Sequence, residues 1–292
     1  MKKPNIPQQV FKLYDDYAHN RLSRRSFLDK VSVFAVGGLT LPAILGSVLP
    51  NYEDTLQIAP DDDRLRTEYI SYDSPRGGGT MKGLLAQPNA ETGKLPGILV
   101  VHENRGLNPH IEDVGRRAAL GGFISLSPDA LTPLGGYPGN DDDGRALQRQ
   151  RDREEMLQDF IAGFEYLKSH PACTGKVGVV GFCFGGWISN SMAARVPELG
   201  AAVPFYGSAA PTEEVPNIQT PLLLQFAGLD ERVNGSFPEY VAALMEHDKT
   251  FTAHLYAGVN HGFHNDSTAR YDFDAAQLAW QRTMAFFGRH LK

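Results

Sequence analysis

The chain has 292 residues, of which 42% are hydrophobic and 21% are charged, a composition typical of globular proteins. Its 28 basic and 34 acidic side chains give a net charge of −6. No basic stripe of the kind that binds phosphates is present, so nucleic acid is not an expected partner. Two cysteines, Cys173 and Cys183, are too few to make disulfides the basis of the fold.

The first fifty residues contain a motif of protein export. Residues Ser23–Leu28, Ser-Arg-Arg-Ser-Phe-Leu, resemble a twin-arginine signal, and the uncharged stretch Val31–Leu49 follows them. This order predicts export to the periplasm. Asp29 and the lack of a following Ala-x-Ala cleavage site favour the alternative, a cytoplasmic protein with an uncleaved helical arm. Such an arm, interrupted at Gly37-Gly38, would dock on the body of the protein or on a second subunit of a homo-oligomer.

From Arg66 onward, segments with strand periodicity alternate with segments of helical periodicity. The predicted strands are Arg66–Tyr72, Gly83–Ala86, Gly97–Val101, Phe123–Ser127, Lys176–Val180, Ala201–Phe205, Pro221–Phe226 and Thr252–Tyr256. The predicted helices are Ile111–Leu120, Arg145–Ser169, Gly185–Arg195, Phe237–His247 and a last helix with Ala276, Ala279, Trp280, Thr283, Met284 and Phe287 on one face. Pro133–Gly144, rich in Pro, Gly and Asp, is a predicted loop.

This alternation predicts an α/β fold with a doubly wound, mostly parallel sheet and helices on both faces. Its first two strands are expected to be antiparallel. We expect one domain, residues 62–292, preceded by an N-terminal helical extension, residues 1–61.

Residues 181–186, Gly-Phe-Cys-Phe-Gly-Gly, follow a predicted buried strand and precede a predicted helix. The pattern Gly-x-nucleophile-x-Gly is that of a nucleophile elbow, with Cys183 where serine is usual. The glycines are needed because the turn is sharp and leaves no room for Cβ atoms beside the nucleophile. The following helix N-terminus favours a thiolate. The alternative is a buried structural cysteine, which the flanking glycines make the weaker interpretation.

A nucleophile needs a base, and the base needs an orienting carboxylate. Asp230 follows the predicted strand Pro221–Phe226, and His261 follows the strand that ends at Tyr256. Both therefore lie at the carboxyl ends of strands, in the chain order nucleophile, acid, histidine. Glu231 is the competing acid, and an ordinary turn aspartate is the alternative interpretation of Asp230.

An oxyanion hole in this type of site uses the N–H after the nucleophile and a second N–H from the loop after an earlier strand. The first belongs to Phe184. The second is expected in the loop after Gly97–Val101, where Asn104 is our candidate.

Five segments resemble the dienelactone hydrolase family, in the family's order: Val101–Asn108, Ser127–Asp129, Gly181–Gly186, Gly228–Asp230 and Asn260–Phe263. The resemblance extends from about residue 66 to the C-terminus. It implies the α/β-hydrolase fold and a Cys-His-Asp triad that opens a lactone in the catabolism of aromatic compounds. It also implies that no metal or organic cofactor takes part.

The resemblance assigns further roles in the loop after the third strand and near the last helix. Glu103 matches a family glutamate that contacts the resting cysteine and helps to form the thiolate, and a buried carboxylate there could accept the thiol proton. Arg105 and Arg270 lie near the loops that hold a substrate carboxylate in the family. A surface or core-edge role is the alternative for each arginine.

The sequence therefore predicts a hydrolase that cleaves a small-molecule lactone or carboxylic ester through a thioester intermediate on Cys183. The alternative is a catalytically idle α/β-hydrolase scaffold with a binding or structural role, because loss of activity would also replace the usual serine with another residue. The complete set of acid, base and loop elements favours the enzyme.

His261 and His264, with Asp266, are weak evidence for a metal site, and no metal is expected.

Overall fold

The described strands form one mixed sheet in the computed structural model, which describes residues 6–36, 39–52, 55–90 and 93–292. The strands are β1 (Leu65–Ser74), β2 (Gly79–Pro88), β3 (Leu95–Val101), β4 (Ile124–Asp129), β5 (Cys173–Phe182), β6 (Ala201–Phe205), β7 (Leu222–Ala227) and β8 (Phe251–Tyr256). They lie in the order β1-β2-β4-β3-β5-β6-β7-β8. The pairs β1–β2 and β2–β4 are antiparallel, and the remaining pairs are parallel.

Helices flank the sheet and precede it. They are α1 (Gln8–Ala18), α2 (Arg24–Ser32), α3 (Leu41–Val48), α4 (Pro109–Leu120), α5 (Asp141–Gln148), α6 (Arg153–Ser169), α7 (Phe184–Arg195), α8 (Glu231–Asn234), α9 (Phe237–Glu246) and α10 (Phe273–Leu291). Short 3-10 helices cover Thr132–Leu134 and Thr212–Asn217.

Apolar side chains cover both faces of the sheet, because neighbouring residues of a strand point to opposite faces. In β3, Leu99 packs in the buried cluster that contains Phe160 and Phe164 of α6. Its neighbour Ile98 packs in the opposite cluster, which contains Phe287 of α10. The predicted fold class, an α/β fold with a mostly parallel sheet and an N-terminal helical extension, is confirmed.

Two predicted segments differ from the structure. The predicted helix Arg145–Ser169 is divided, because Asp152 starts a new helix and accepts hydrogen bonds from two backbone N–H groups of its first turn at 2.8 and 3.0 Å. The predicted loop Pro133–Gly144 is wrong at its end, because Asn140 caps α5 through a hydrogen bond of 2.9 Å. The short helix α8, which follows Asp230, was not predicted.

The described part of the N-terminal extension has an apolar core of its own. Val10 and Tyr14 lie one turn apart on α1 and pack with Phe27 of α2 and Ile44 of α3. The twin-arginine motif therefore lies in a helix that is packed through Phe27. Gly37-Gly38, the expected interruption, lies outside the described residues.

Polar contacts attach the extension to loops and short helices that follow the strands. They include Lys12 with Glu231 (2.9 Å), Tyr17 with Asp142 (2.5 Å) and the Asn104 amide with the carbonyl oxygen of Ala18 (2.7 Å). Within the part of the chain that the structure describes, every helix is too short or too polar to cross a membrane. The extension thus lies over the edge of the sheet where the predicted catalytic residues are found.

Candidate active site

The turn between β5 and α7 places Cys183 at the start of α7. Its backbone has φ 57° and ψ −108°, a conformation that residues other than glycine rarely adopt. Glycines make the turn possible, since a Cβ on Gly181 would lie 1.9 Å from the carbonyl oxygen of Gly185. A Cβ on Gly185 would itself lie 2.4 Å from the carbonyl oxygen of Val101. The segment therefore has the sharp strand–turn–helix geometry that the sequence predicts.

The predicted base and acid lie together beside this turn. Nδ1 of His261 lies 2.5 Å from Oδ2 of Asp230, so the Nδ1–H donates to the carboxylate. This leaves Nε2 without a hydrogen-bond partner among the described residues, and the ligating atoms of His261 and Cys183 lie within 4.8 Å of each other. Glu231 points away, with 82% of its side chain exposed and an ion pair to Lys12. The geometry favours Asp230 over Glu231.

A second histidine contacts Cys183 from the N-terminal extension. Nε2 of His19, at the C-terminal end of α1, lies 3.2 Å from Sγ of Cys183. Nδ1 of His19 lies 3.1 Å from a carboxylate oxygen of Asp15 and 2.8 Å from its carbonyl oxygen. The rings of His19 and His261 meet edge to face, with their centroids 4.8 Å apart. Cys183 thus lies between two Asp–His pairs.

The charges around Cys183 favour its thiolate. Burial raises the pKa of the thiol, but His261 and His19 outweigh burial and bring the pKa well below its ordinary value. Burial lowers the pKa of His261, whereas the charges of Asp230, Cys183 and Asp15 raise it to about 10. Burial also opposes a charge on His19, yet Cys183 and Asp15 raise the pKa of this ring above its ordinary value. The site therefore favours a thiolate beside protonated imidazoles.

Glu103 is buried in an ion pair and has no hydrogen bond to Cys183. Its Oε2 lies 3.1 Å from Nη2 of Arg105 and accepts a hydrogen bond of 2.8 Å from Asn265. Burial raises the pKa of Glu103, but Arg105 and other nearby cations outweigh burial and lower it to about 2. The contact with the resting cysteine that the resemblance implied for Glu103 is made in this structure by His19.

The two arginines predicted as substrate ligands are buried and already paired. Arg105 contacts Asp141 at 2.6 Å as well as Glu103. Nη1 of Arg270 lies 3.5 Å from a carboxylate oxygen of Asp15. Arg105 therefore holds its own loop together, whereas Arg270 contacts the extension beside the site.

The two residues predicted for the oxyanion hole lie at the start of α7 and in the loop after β3. Phe184 is the first residue of α7, so its N–H has no acceptor within the helix. Asn104 lies in the loop after β3, where its side-chain amide donates to the carbonyl oxygen of Ala18. The backbone N–H groups of both residues make no hydrogen bond to the described residues.

A cavity of about 620 Å³ opens between α1 and the loops that carry the predicted acid and base. Asp230, Arg232, His261 and Arg270 line it from the body of the protein, and Asp15 lines it from the extension. Its volume is in the range of small-molecule sites. Cys183 is not among the lining residues, and 8% of its surface is exposed.

His19, Cys183 and His261 also carry atoms that ligate metals, all within 4.8 Å of one another. Nη2 of Arg232 lies 3.1 Å from Nε2 of His19 and 3.2 Å from Nδ1 of His261. This positive charge opposes a metal cation, so we assign no metal to the site. His264 is not part of this group.

Asp15, His19 and Arg232 lie in the site but were not predicted from the sequence. Asp15 and His19 are four residues apart on one helix, a spacing that brings side chains into contact. That signal was present, but the segment was interpreted only as an export signal or a docked arm. Arg232 follows Asp230 by two residues, but no sequence pattern indicates that its side chain lies beside two imidazoles.

A family model described as the dienelactone hydrolase family matches residues 81–291, and a YqhI-like model matches residues 1–36. "Putative carboxymethylenebutenolidase" of Saccharolobus solfataricus is 30% identical over 258 residues, covering 75% of this chain and 97% of that protein. "Putative hydrolase fragment YghX" of Escherichia coli is 51% identical over 114 residues, which cover 39% of this chain and 97% of that protein. The crystal structure of a "Putative Dienelactone Hydrolase" from Klebsiella pneumoniae has a TM-score of 0.68 at 24% identity, covering 77% of this chain and 99% of that chain.

The substitution Gly181→Ala tests the turn. The added Cβ would meet the backbone of Gly185, so we expect a loss of about 1–3 kcal/mol in the free energy of unfolding, measured in urea. Gly288→Ala in α10 is the control, because nothing lies within 4 Å of its added Cβ, and it should be neutral or stabilising by up to about 1 kcal/mol. Equal stability of the two variants would contradict the close approach.

Proposed function

This chain belongs to the dienelactone hydrolase family and is a hydrolase of small-molecule lactones or esters, and on that premise we propose that Cys183 is its nucleophile. His261 is the acid–base group and Asp230 its orienting carboxylate. The observation that carries this proposal is the placement of Cys183 in the strained turn, beside a histidine that donates to Asp230 at 2.5 Å.

In the proposed reaction, the Cys183 thiolate attacks the carbonyl carbon and forms a tetrahedral intermediate. The intermediate collapses to a thioester, and Nε2 of His261 gives its proton to the leaving oxygen. The neutral ring then takes a proton from water, whose oxygen attacks the thioester and expels the thiolate. The site returns to its starting charge, and the products are an acid and an alcohol.

The oxyanion formed in both steps needs hydrogen-bond donors. The N–H of Phe184 fits this role because it lies at the start of α7 and is not used within the helix. The N–H of Asn104 is proposed as the second donor, since it also makes no hydrogen bond to the described residues. Glu103 is proposed to act through Arg105, by holding this loop, rather than by contact with the thiol.

The nucleophile restricts the substrate. A thiolate of lowered pKa attacks readily, but it is a good leaving group, so intermediates with poor leaving oxygens or nitrogens revert to substrate. This favours activated esters, enol lactones and thioesters over amides. An idle scaffold is the second candidate, and it is disfavoured because its cysteine would not need to be held as a thiolate between charged groups.

Turnover of an aryl ester tests the proposal. Cys183→Ala should abolish turnover, and rapid mixing of wild type with the ester should give a protein mass increased by one acyl group on Cys183. Cys173→Ala is the matched control, because Cys173 is a buried thiol in β5 away from the turn, and it should retain turnover and acylation. Turnover that persists in Cys183→Ala would exclude the cysteine mechanism.

We also propose that the N-terminal extension stays attached to the working enzyme rather than being removed as an export signal. The support is that α1 lines the cavity and contacts Cys183. The protein isolated from cells that make it naturally should then contain Asp15 and His19 by mass spectrometry, and Arg24→Lys with Arg25→Lys should not change its cell fraction. A shorter chain that begins after α3 would overturn this proposal.

A further inference from the structure

Two acid–histidine pairs face one sulfur atom in this site. One pair, Asp230 and His261, comes from the loops after β7 and β8. The other, Asp15 and His19, comes from α1 of the extension, before the segment that the family model matches. Nε2 of His19 lies 3.2 Å from Sγ, and the nearest ligating atom of His261 lies within 4.8 Å of the sulfur.

The tautomer of His19 follows from its neighbours. Both groups that face its Nδ1, the carboxylate and the carbonyl oxygen of Asp15, can only accept hydrogen bonds, so Nδ1 carries a proton. Nε2 faces both Sγ of Cys183 at 3.2 Å and Nη2 of Arg232 at 3.1 Å, and of these two groups only the thiol can give it a proton. This is the arrangement of an oriented base on a nucleophile.

Several cations hold Asp15 in place as the orienting carboxylate. Arg21 donates to it at 2.9 Å, and Arg270 and Arg232 lie at 3.5 and 3.8 Å. Burial raises the pKa of Asp15, but His261, His19 and Arg270 outweigh burial and keep the pKa well below its ordinary value. The carboxyl group of Asp15 is therefore ionised in the folded protein.

Helix dipoles also favour the transfer of the Cys183 proton to His19. His19 is the C-cap residue of α1, and the partial negative charge at a helix C-terminus stabilises an imidazolium. Cys183 is the N-cap residue of α7, and the partial positive charge at a helix N-terminus stabilises a thiolate. Proton transfer from the sulfur to His19 thus places each charge at the helix end that favours it.

From this geometry we infer that His19, oriented by Asp15, is a second catalytic base, which holds the proton of Cys183 in the resting enzyme. The inference rests on the proposed role of Cys183 as nucleophile. The proton moves from Sγ to Nε2 of His19, which leaves the thiolate. Because His19 holds the proton of the thiol, His261 can use its own proton for the leaving oxygen and then deprotonate water. The extension completes the active site and forms one wall of its cavity.

The test is the pH dependence of Cys183 alkylation by iodoacetamide, followed by peptide mass so that Cys173 is counted separately. Charged or titratable groups that face the thiol region are His19, Asp15, His261, Arg232, Arg270, Arg153 and Tyr206. His19→Gln keeps an amide near the sulfur but cannot take its proton. His19→Asn keeps a donor near Asp15 and removes the contact with the sulfur.

We expect both His19 variants to move the midpoint of the alkylation profile upward by about one pH unit or more, because the thiolate loses a counter-charge. Turnover of an aryl ester should fall about tenfold or more in kcat. Asp15→Asn should shift the midpoint in the same direction by less. The controls His247→Gln and Asp29→Asn change exposed residues of the same types and should leave both profiles unchanged.

An unchanged alkylation midpoint in both His19 variants would overturn the inference. Faster turnover in both would also overturn it, because His19 would then obstruct Cys183 rather than activate it. Should His19→Gln fail to fold, as judged by thermal unfolding, His19→Asn gives the same readout. The two failures are distinguishable: an unshifted alkylation midpoint contradicts the role of His19, whereas turnover that persists in Cys183→Ala contradicts the proposed nucleophile on which that role rests.

Discussion

A cysteine with a positive φ is unfavourable for an L-residue, and the β5–α7 turn holds Cys183 at φ 57°. Around this turn the backbone segments pack so closely that Gly181 and Gly185 have no room for a Cβ. The turn lies at the carboxyl end of β5, at the same edge of the sheet where the loops after β7 and β8 begin. The positions of Asp230 and His261 have chemical meaning only because this turn presents the sulfur to them.

The second constraint is charge balance in a buried space. A thiolate with little solvent contact is costly unless cations face it. Two imidazoles provide that charge, and each has a carboxylate behind it, Asp230 for His261 and Asp15 for His19. Arg232 lies beside both rings and near Asp15, so it links the two pairs. The extension is therefore part of the electrostatics of the site as well as part of its wall.

The sequence predicted the sheet because periodicity and apolar runs are local. It also predicted the turn at Cys183 and the positions of Asp230 and His261, because glycine spacing and chain order constrain them. It missed the break before α6, where one side-chain cap at Asp152 overrides a continuous helical pattern. It also missed the contact of His19 with Cys183, which joins residues 164 positions apart in the chain. Local patterns carry no information about such a contact. The ion pair of Glu103 with Arg105 joins residues only two positions apart, and it was missed because both side chains had been assigned to the thiol and the substrate instead of to each other.

The central claim is that Cys183 is a thiolate at neutral pH, held between two imidazoles. Thiolate absorbance at the far-ultraviolet edge, recorded as the difference between wild type and Cys183→Ala over a pH titration, tests it most directly. The account predicts that the difference signal is already present at neutral pH and disappears only in acid, because His261 and His19 lower the pKa of Cys183 well below its ordinary value. A signal that is absent at neutral pH and appears only near the ordinary cysteine pKa of about 8.5 would contradict it.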